Sequence, residues 1–408
     1  MIDKKIVLSF AFLSLLLMPS FFYVVFAFPS MSFGLFVACI AVILVSLKLD
    51  ISFSTKKIVS FLFLLIFIVI YQFFTFYVEN FPFDHRTIAS MVFLLILIFS
   101  ALIFGGYLFQ YQSKTFFNVL PFLVFFSILI GFFAIFFEQS FLGYELYAKS
   151  VFPFAEPSHY AITLGPILFA SGLLLSLKYR VLILVSFICL GVLLPSLVMM
   201  LFSFLMMFFF FKCSIFKKAV FIFIGLFFFY FLFFIEEGAY FLERITFSSE
   251  SKNLTALVYM QGWSDMFESL EASSFLGVGF QNMGILPPGY YGDLIYSLAG
   301  EFKNRNDGGF LAAKLISEFG VLGMLFIIFY IRLFLSSIKL LIRWINTASI
   351  DQNAQLSKLS IFASGIIVGF FVELFARGSG YFTSGVFMLL MSSFILYKFY
   401  KNTKVAVI

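Results

Sequence analysis

Charge is scarce in this chain. Only 11% of its 408 residues are Asp, Glu, Lys or Arg, against about 25% in soluble domains. With 63% hydrophobic residues and a mean hydropathy of +1.11, that shortage excludes a soluble domain and leaves an all-α polytopic membrane protein. Cysteine is nearly missing. Cys39, Cys189 and Cys213 lie in or beside apolar runs, at spacings that fit neither a disulfide framework nor a metal site. Histidine is confined to His85 and His159. No glycine-rich phosphate loop is present, so no nucleotide cofactor is implied. No carboxylate cluster such as D-x-D appears, so no metal is implied either. The net charge of +6 does not point to nucleic acid, because its placement along the chain has a membrane explanation. Phenylalanine is abundant, at 69 residues, but partitions well into lipid and carries no function by itself.

Apolar runs are what the chain has in quantity. The first, Ile6 to Phe28, follows Lys4 and Lys5 and reads as a retained span, longer than a signal-peptide core. Others fall near 31–47, 58–78, 88–109, 116–137 and 160–177. The stretch 181–211 is interrupted by Leu194-Pro195-Ser196 and divides into short spans at about 181–194 and 197–211. Runs at 219–235, 311–342, 359–376 and 382–397 complete twelve expected spans. The run 311–342 exceeds the roughly 20 residues of one crossing, so part of it must protrude.

Basic residues test this topology. With both termini cytoplasmic, Lys48, Lys56, Lys57, Lys114, Lys178, Arg180, Lys212, Lys217, Lys218, Lys339, Arg343, Lys358, Lys398 and Lys401 all fall inside. Of 20 acidic residues, only Asp3, Asp50 and Asp351 join them. Reading 181–211 as one span would put the later basic segments outside. The expected layout is an N-terminal membrane bundle of about nine spans (1–235), a large periplasmic loop (236–310) and a C-terminal bundle of about three spans (311–408).

The long polar interruption is not low-complexity. Residues 253–272 carry Leu254, Leu257, Val258, Trp263, Met266, Phe267 and Leu270 at helical spacing. Such an amphipathic helix lies on the membrane surface or packs on the bundle.

Charges near spans are costly, roughly 2.5–3.5 kcal/mol each at mid-depth, and so draw attention. Glu373 and Arg377 are four apart and would share a helical face. They form either a self-neutralising pair or an anion site in which Glu373 orients Arg377. Lys314 and Glu318 repeat that spacing, and there a structural pair is the preferred reading. Arg244 and Arg305 flank the long loop. Arginine offers a fork of donors that fits phosphate oxygens. Arg305 stands in N-R-N-D-G-G, which reads as a turn leading into a helix start. Arg86 can pair with Asp84 and is read as structural. In A-E-P-S-H-Y-A at 155–161, Glu156, Ser158 and His159 bring a carboxylate, a hydroxyl and an imidazole to one turn. Either they cap the following helix, or Glu156 or His159 accepts a proton from a substrate hydroxyl.

These stretches support a resemblance. A-E-P-S-H-Y-A, N-L-T-A-L-V-Y-M-Q-G-W at 253–263 with G-V-G-F-Q-N-M-G at 277–284, and N-D-G-G-F-L-A-A-K-L-I-S-E-F-G at 306–320 resemble the Wzy O-antigen polymerases. A-R-G-S-G-Y-F-T-S-G at 376–385 is similar to their last outer loop. The motif-level likeness covers about 155–385. It implies a GT-C-like membrane glycosyltransferase of the bacterial inner membrane. Donor and acceptor would both be undecaprenyl-diphosphate-linked oligosaccharides drawn from the membrane lipid. A chain-length regulator protein would be a partner, with no cofactor. The one R-x10-G match, Arg180 to Gly191, starts on the expected cytoplasmic side, and neither Arg244 nor Arg305 begins such a pattern. On chemical grounds Arg244, Arg305 and Arg377 form a diphosphate clamp, Glu156 or His159 activates the acceptor, and Gln281, Asn282, Asp307 and Glu373 contact substrate. An O-antigen ligase is the nearest alternative, and a lipid-linked oligosaccharide flippase a more distant one.

Overall fold

The computed structural model describes residues 4–28, 30–47, 55–79, 81–82, 84–137, 141–147, 149–212, 223, 236–248, 251–346 and 354–405. The span expected at 219–235, with Lys217 and Lys218, lies outside them except for Phe223. Among the described residues the fold is helical, with one isolated bridge between Val151 and Phe154. The helices are α1 (Lys4–Val25), α2 (Ser32–Leu47), α3 (Thr55–Glu79), α4 (His85–Tyr107), α5 (Ser113–Phe136), α6 (Pro157–Gly172), α7 (Leu177–Leu193) and α8 (Leu197–Phe210). The remainder are α9 (Glu236–Ile245), α10 (Leu254–Ala272), α11 (Tyr290–Ala299), α12 (Leu311–Asn346), α13 (Ala354–Phe375) and α14 (Ser384–Val405). Among the described residues, four stretches are long and apolar enough to cross a membrane: His85–Gln110, Lys114–Phe136, Leu311–Asn346 and Leu356–Phe375. Shorter apolar helices accompany them at Ser9–Val25, Ser32–Ser46, Ile66–Val78 and Leu197–Phe210. The protein is therefore membrane-embedded.

At the centre α6 packs on α13, and small residues explain the close approach. A Cβ at Gly365 would stand 2.7 Å from the Ala170 Cβ, and one at Gly369 would stand 2.9 Å from the Pro166 Cα. In hydrocarbon, where lipid solvates side chains as well as protein does, such backbone proximity drives helix association.

The break at Leu194–Ser196 separates α7 from α8, and Arg180 shows how they run. Its Nε donates to Leu175 O at 2.8 Å, its Nη2 to Leu173 O at 3.0 Å and its Nη1 to Phe210 O at 3.2 Å. Trp344 Nε1 also donates to Leu173 O, at 3.2 Å. The start of α7 and the finish of α8 therefore lie at one end of the bundle, as two short antiparallel helices require. Carbonyls left over at helix C-termini are satisfied there by arginine.

The long helix α12 breaks at Gly320, whose φ of 53° and ψ of −129° leave the helical region. A side chain would strain that backbone. The carbonyls freed by the break are taken by the G-V-G-F segment: Val278 N donates to Ser317 O at 2.9 Å and Gly279 N to Glu318 O at 3.0 Å. From α3, Tyr71 Oη stands 2.7 Å from both Leu276 O and Glu318 O and shares its one hydrogen between them, and Gln72 Oε1 accepts from Phe280 N at 2.8 Å. The part of α12 before the break thus forms a buried stem under the long polar segment, which accounts for the excess length of the run.

Over this stem lies α10. Leu257, Val258, Met266 and Leu270 are buried, whereas Leu254 and Phe267 are exposed. Trp263 packs on Phe310, centroids 5.1 Å apart. Between the two sequence readings, the structure shows the helix packed on the bundle. In turn α11 rests on α10 through Ile295, Leu257 and Val258.

Candidate functional site

Glu156 stands at the N-cap position of α6, with Pro157 at the first helical position, where its fixed φ suits helix initiation. Its carboxylate makes no capping bond to the helix amides. It turns outward, accepts from Ser158 Oγ at 2.9 Å and meets Arg377 Nη2 at 3.7 Å. The cap reading of this turn is therefore replaced by an ion pair. The pair is incompletely filled: the Glu156 side chain is 47% exposed and that of Arg377 18%. His159, one turn along, has a buried Nδ1 with no hydrogen-bond partner among the described residues. Burial works against ionisation of Glu156, but its interactions with His159, the Arg377 and Arg244 guanidinium groups and the Ser158 hydroxyl hold the carboxyl below its ordinary value, while burial pushes the His159 imidazole down to about 4.

Arg244 stands in the last turn of α9, near enough for its charge to act on Glu156. That helix is seated by Phe241, buried against Met200 of α8. Arg244 and Lys252 also line an open recess of about 620 Å³ between α9 and the start of α10. Two positive side chains therefore face this recess, with Glu243 beside them, and the charge of Arg244 also acts on Glu156.

Arg377 is not on a helix. α13 ends at Phe375, so the face-sharing expected of Glu373 and Arg377 does not arise, and this part of the sequence reading is corrected. The Arg377 amide folds back to Val372 O at 3.0 Å, and Gly378 N donates to Gly309 O at 2.8 Å. The N-D-G-G turn thus abuts the Arg377 strap. Its neighbour Asp307 accepts from Lys314 Nζ at 3.0 Å, and Lys314 stands 3.5 Å from Glu318 Oε1. Lys314 and Glu318 are buried, at 1% and 0% exposure, the structural pair expected from their spacing, with Asp307 as an added partner. Lys314 Nζ also donates to Asn306 O and lies over the Tyr381 ring.

The remaining sequence candidates stand elsewhere. Arg305 does not join the other two arginines. Its Nη2 donates to Leu286 O, its guanidinium lies 5.3 Å from the Phe302 ring, and its charge acts on Asp265 of α10. Asn282 is occupied internally, its Nδ2 donating to Pro82 O at 3.0 Å and Val278 O at 2.9 Å. Gln281 Oε1 accepts from Arg86 Nη2 at 3.3 Å. Asp84 is the N-cap of α4, and the Thr87 amide, before any effect of Arg86, holds its carboxyl below the usual range. Glu373 is buried and accepts from Thr383 Oγ1.

An apolar cavity of about 330 Å³ lies beneath this polar layer, walled by Phe67, Leu94, Phe280, Phe319, Tyr381 and Val386 among others. Sequence reasoning missed the α3 side of the assembly. A signal existed: Tyr71, Gln72 and Thr75 interrupt an apolar run at spacings that share one helical face, and all three are buried. Among the described residues no group of three His, Cys, Asp or Glu is placed to hold a metal.

No known protein family, curated protein or solved structure matches this chain.

Proposed function

We propose that this protein is an O-antigen polymerase of the bacterial inner membrane, a glycosyltransferase that joins undecaprenyl-diphosphate-linked repeat units at the periplasmic face. The observation that carries the reading is the half-open Glu156–Arg377 pair, with His159 beside it and Arg244 acting on the same carboxylate. A transfer from a lipid diphosphate needs a base for the incoming hydroxyl and cations for the departing diphosphate, and needs no nucleotide. Glu156, ionised in this setting, takes the proton of the acceptor's terminal hydroxyl. The oxygen forms a bond to the reducing-end anomeric carbon of the donor. The bond from that carbon to the diphosphate breaks, and undecaprenyl diphosphate leaves with the electron pair. Arg377 and Arg244 are the donors that meet the developing charge. His159 positions Glu156 or shares its proton.

The topology that goes with this reading has twelve spans, both termini cytoplasmic and the 236–310 segment periplasmic. Basic residues gathered at the Arg180 end of the helices support that orientation. The apolar cavity beneath Tyr381 suits the polyprenyl tail of a substrate entering from the membrane. A chain-length regulator is the expected protein partner.

Reconstitution of the purified chain with a synthetic undecaprenyl-diphosphate repeat unit tests the proposal. A ladder of products several repeats long is expected. A single transfer seen only when lipid A core is supplied would identify a ligase instead, and transbilayer movement without bond formation would identify a flippase.

A further inference from the structure

Glu373 is buried at 1% exposure near the outer end of α13, yet Arg377 is not its partner. What it touches is the start of the next helix. Thr383 Oγ1 donates to Glu373 Oε1 and accepts from Val386 N at 3.1 Å, so one hydroxyl both caps α14 and holds the carboxylate. The other oxygen, Oε2, has no hydrogen-bond partner among the described residues and occupies the space in which a Cβ at Gly385 would sit. A carboxylate at a helix N-terminus is in favourable electrostatic surroundings. The segment from Ala376 to Thr383 is therefore a strap tied at three points. Its foot is fixed by Glu373 through Thr383, its entry by the bond from Arg377 N to Val372 O, and its crest by the 2.8 Å bond from Gly378 N to Gly309 O. Arg377 supplies the second of these ties with its own amide and adjoins the third at Gly378.

We propose that Glu373 is a positioning residue, which sets where the Arg377 guanidinium stands by fixing the strap through Thr383 and the start of α14 rather than by touching Arg377. The inference rests on the reading of Arg377 as a diphosphate donor and names how that site is held. Glycine at 385 follows from it, because any side chain there would displace the carboxylate.

The test is binding of farnesyl diphosphate, a soluble probe with the same headgroup, to the full chain in phospholipid nanodiscs. Wild type binds, and Arg377→Ala weakens binding at least tenfold. Thr383→Val keeps the shape and removes the hydroxyl, and Gly385→Ala displaces the carboxylate from the opposite helix. Each is expected to weaken binding about fivefold in the wild-type background and to add nothing in the Arg377→Ala background, the non-additivity of residues acting through one another. Glu373→Gln, which retains an acceptor for Thr383, is expected to lie between wild type and Glu373→Ala. Wild-type affinity in both Thr383→Val and Gly385→Ala, with Arg377→Ala impaired, overturns the positioning role and leaves the functional reading standing. Equal losses in both backgrounds show general structural damage and also overturn it. An Arg377→Ala variant that binds like wild type removes the functional reading itself, and this inference with it.

Discussion

Lys314 and Arg377 each meet a carboxylate beneath the long polar segment, and the loops that carry those contacts are hydrogen-bonded to one another through Gly309 and Gly378. Their surroundings are opposite. Lys314 is sealed at 1% exposure and divides its three donors among Asp307, Glu318 and the Asn306 carbonyl. Arg377 touches Glu156 at 3.7 Å, a loose contact by the standard of charge-assisted bonds at about 2.7–2.9 Å, and both partners remain partly open. A cation whose donors are all taken inside the protein has none left for a ligand. One that is partly exposed and holds its carboxylate only loosely can exchange that contact for a phosphate. The two ion pairs, alike in the sequence as scattered charges near span ends, are thus a fastener and a candidate site.

The largest effect that would sharpen this contrast is on stability. Lys314→Ala leaves the buried Glu318 without its cation, while Asp307 stays partly exposed, and breaking a buried pair costs about 3–5 kcal/mol. A lowered thermal midpoint and poor recovery in detergent are expected. Replacing Lys314 and Glu318 together by methionine should restore most of the loss, since both charges are then gone. If the double variant were as unstable as the single one, desolvation would not be the governing cost.

Arg377→Ala should do the reverse, leaving the thermal midpoint within a few degrees and lowering glycan extension by about a hundredfold or more, the usual cost of removing a donor to developing negative charge. Arg305→Ala, whose guanidinium holds the Leu286 carbonyl, should lower extension less than tenfold. Measured initial rates on a lipid-linked repeat unit decide both. Equal losses at Arg305 and Arg377 would restore the three-arginine clamp that the geometry divides.

How much of this was legible beforehand follows from the range of each interaction. The helical membrane class needed only composition. The split at Pro195 and the paired run of α7 and α8 followed from local sequence and charge placement, and Arg180 supplies the contacts that fit them. Lys314 and Glu318 were readable because four residues on a helix is a fixed distance. The same rule failed at Glu373 and Arg377, since the helix ends at Phe375 and the rule holds only while the helix lasts. Partnerships across the chain, such as Glu156 with Arg377 or Tyr71 with the Glu318 carbonyl, are set by tertiary packing and leave no spacing signal. Gly320 is one of 26 glycines in the chain, and nothing local marks it as the residue where α12 breaks.

Asp265 offers a finer break in the comparison, because it is a carboxylate of the polar segment with no cation in contact among the described residues. It is 8% exposed on the inner face of α10 and accepts from Gln261 Nε2 at 3.2 Å. Burial, reinforced by Glu268 and only partly offset by Gln261 and Arg305, lifts its carboxyl from an ordinary 3.8 to about 6. Gln261 Oε1 is buried without a partner among the described residues, and a protonated Asp265 can supply the missing donor. The sign follows directly. Below about pH 4 both folded and unfolded chains hold this proton and stability is unaffected. Between about 4 and 6 the unfolded chain releases it while the folded chain keeps it, so stability falls as pH rises through that window. Above about 6 the loss is complete, on the order of 2–3 kcal/mol, since each tenfold change in proton affinity is worth about 1.4 kcal/mol. Asp265→Asn should therefore raise the thermal midpoint at pH 7 and flatten the slope between pH 4 and 6 relative to wild type. Parallel profiles for the two proteins would mean that the carboxylate stays hydrated in the folded state.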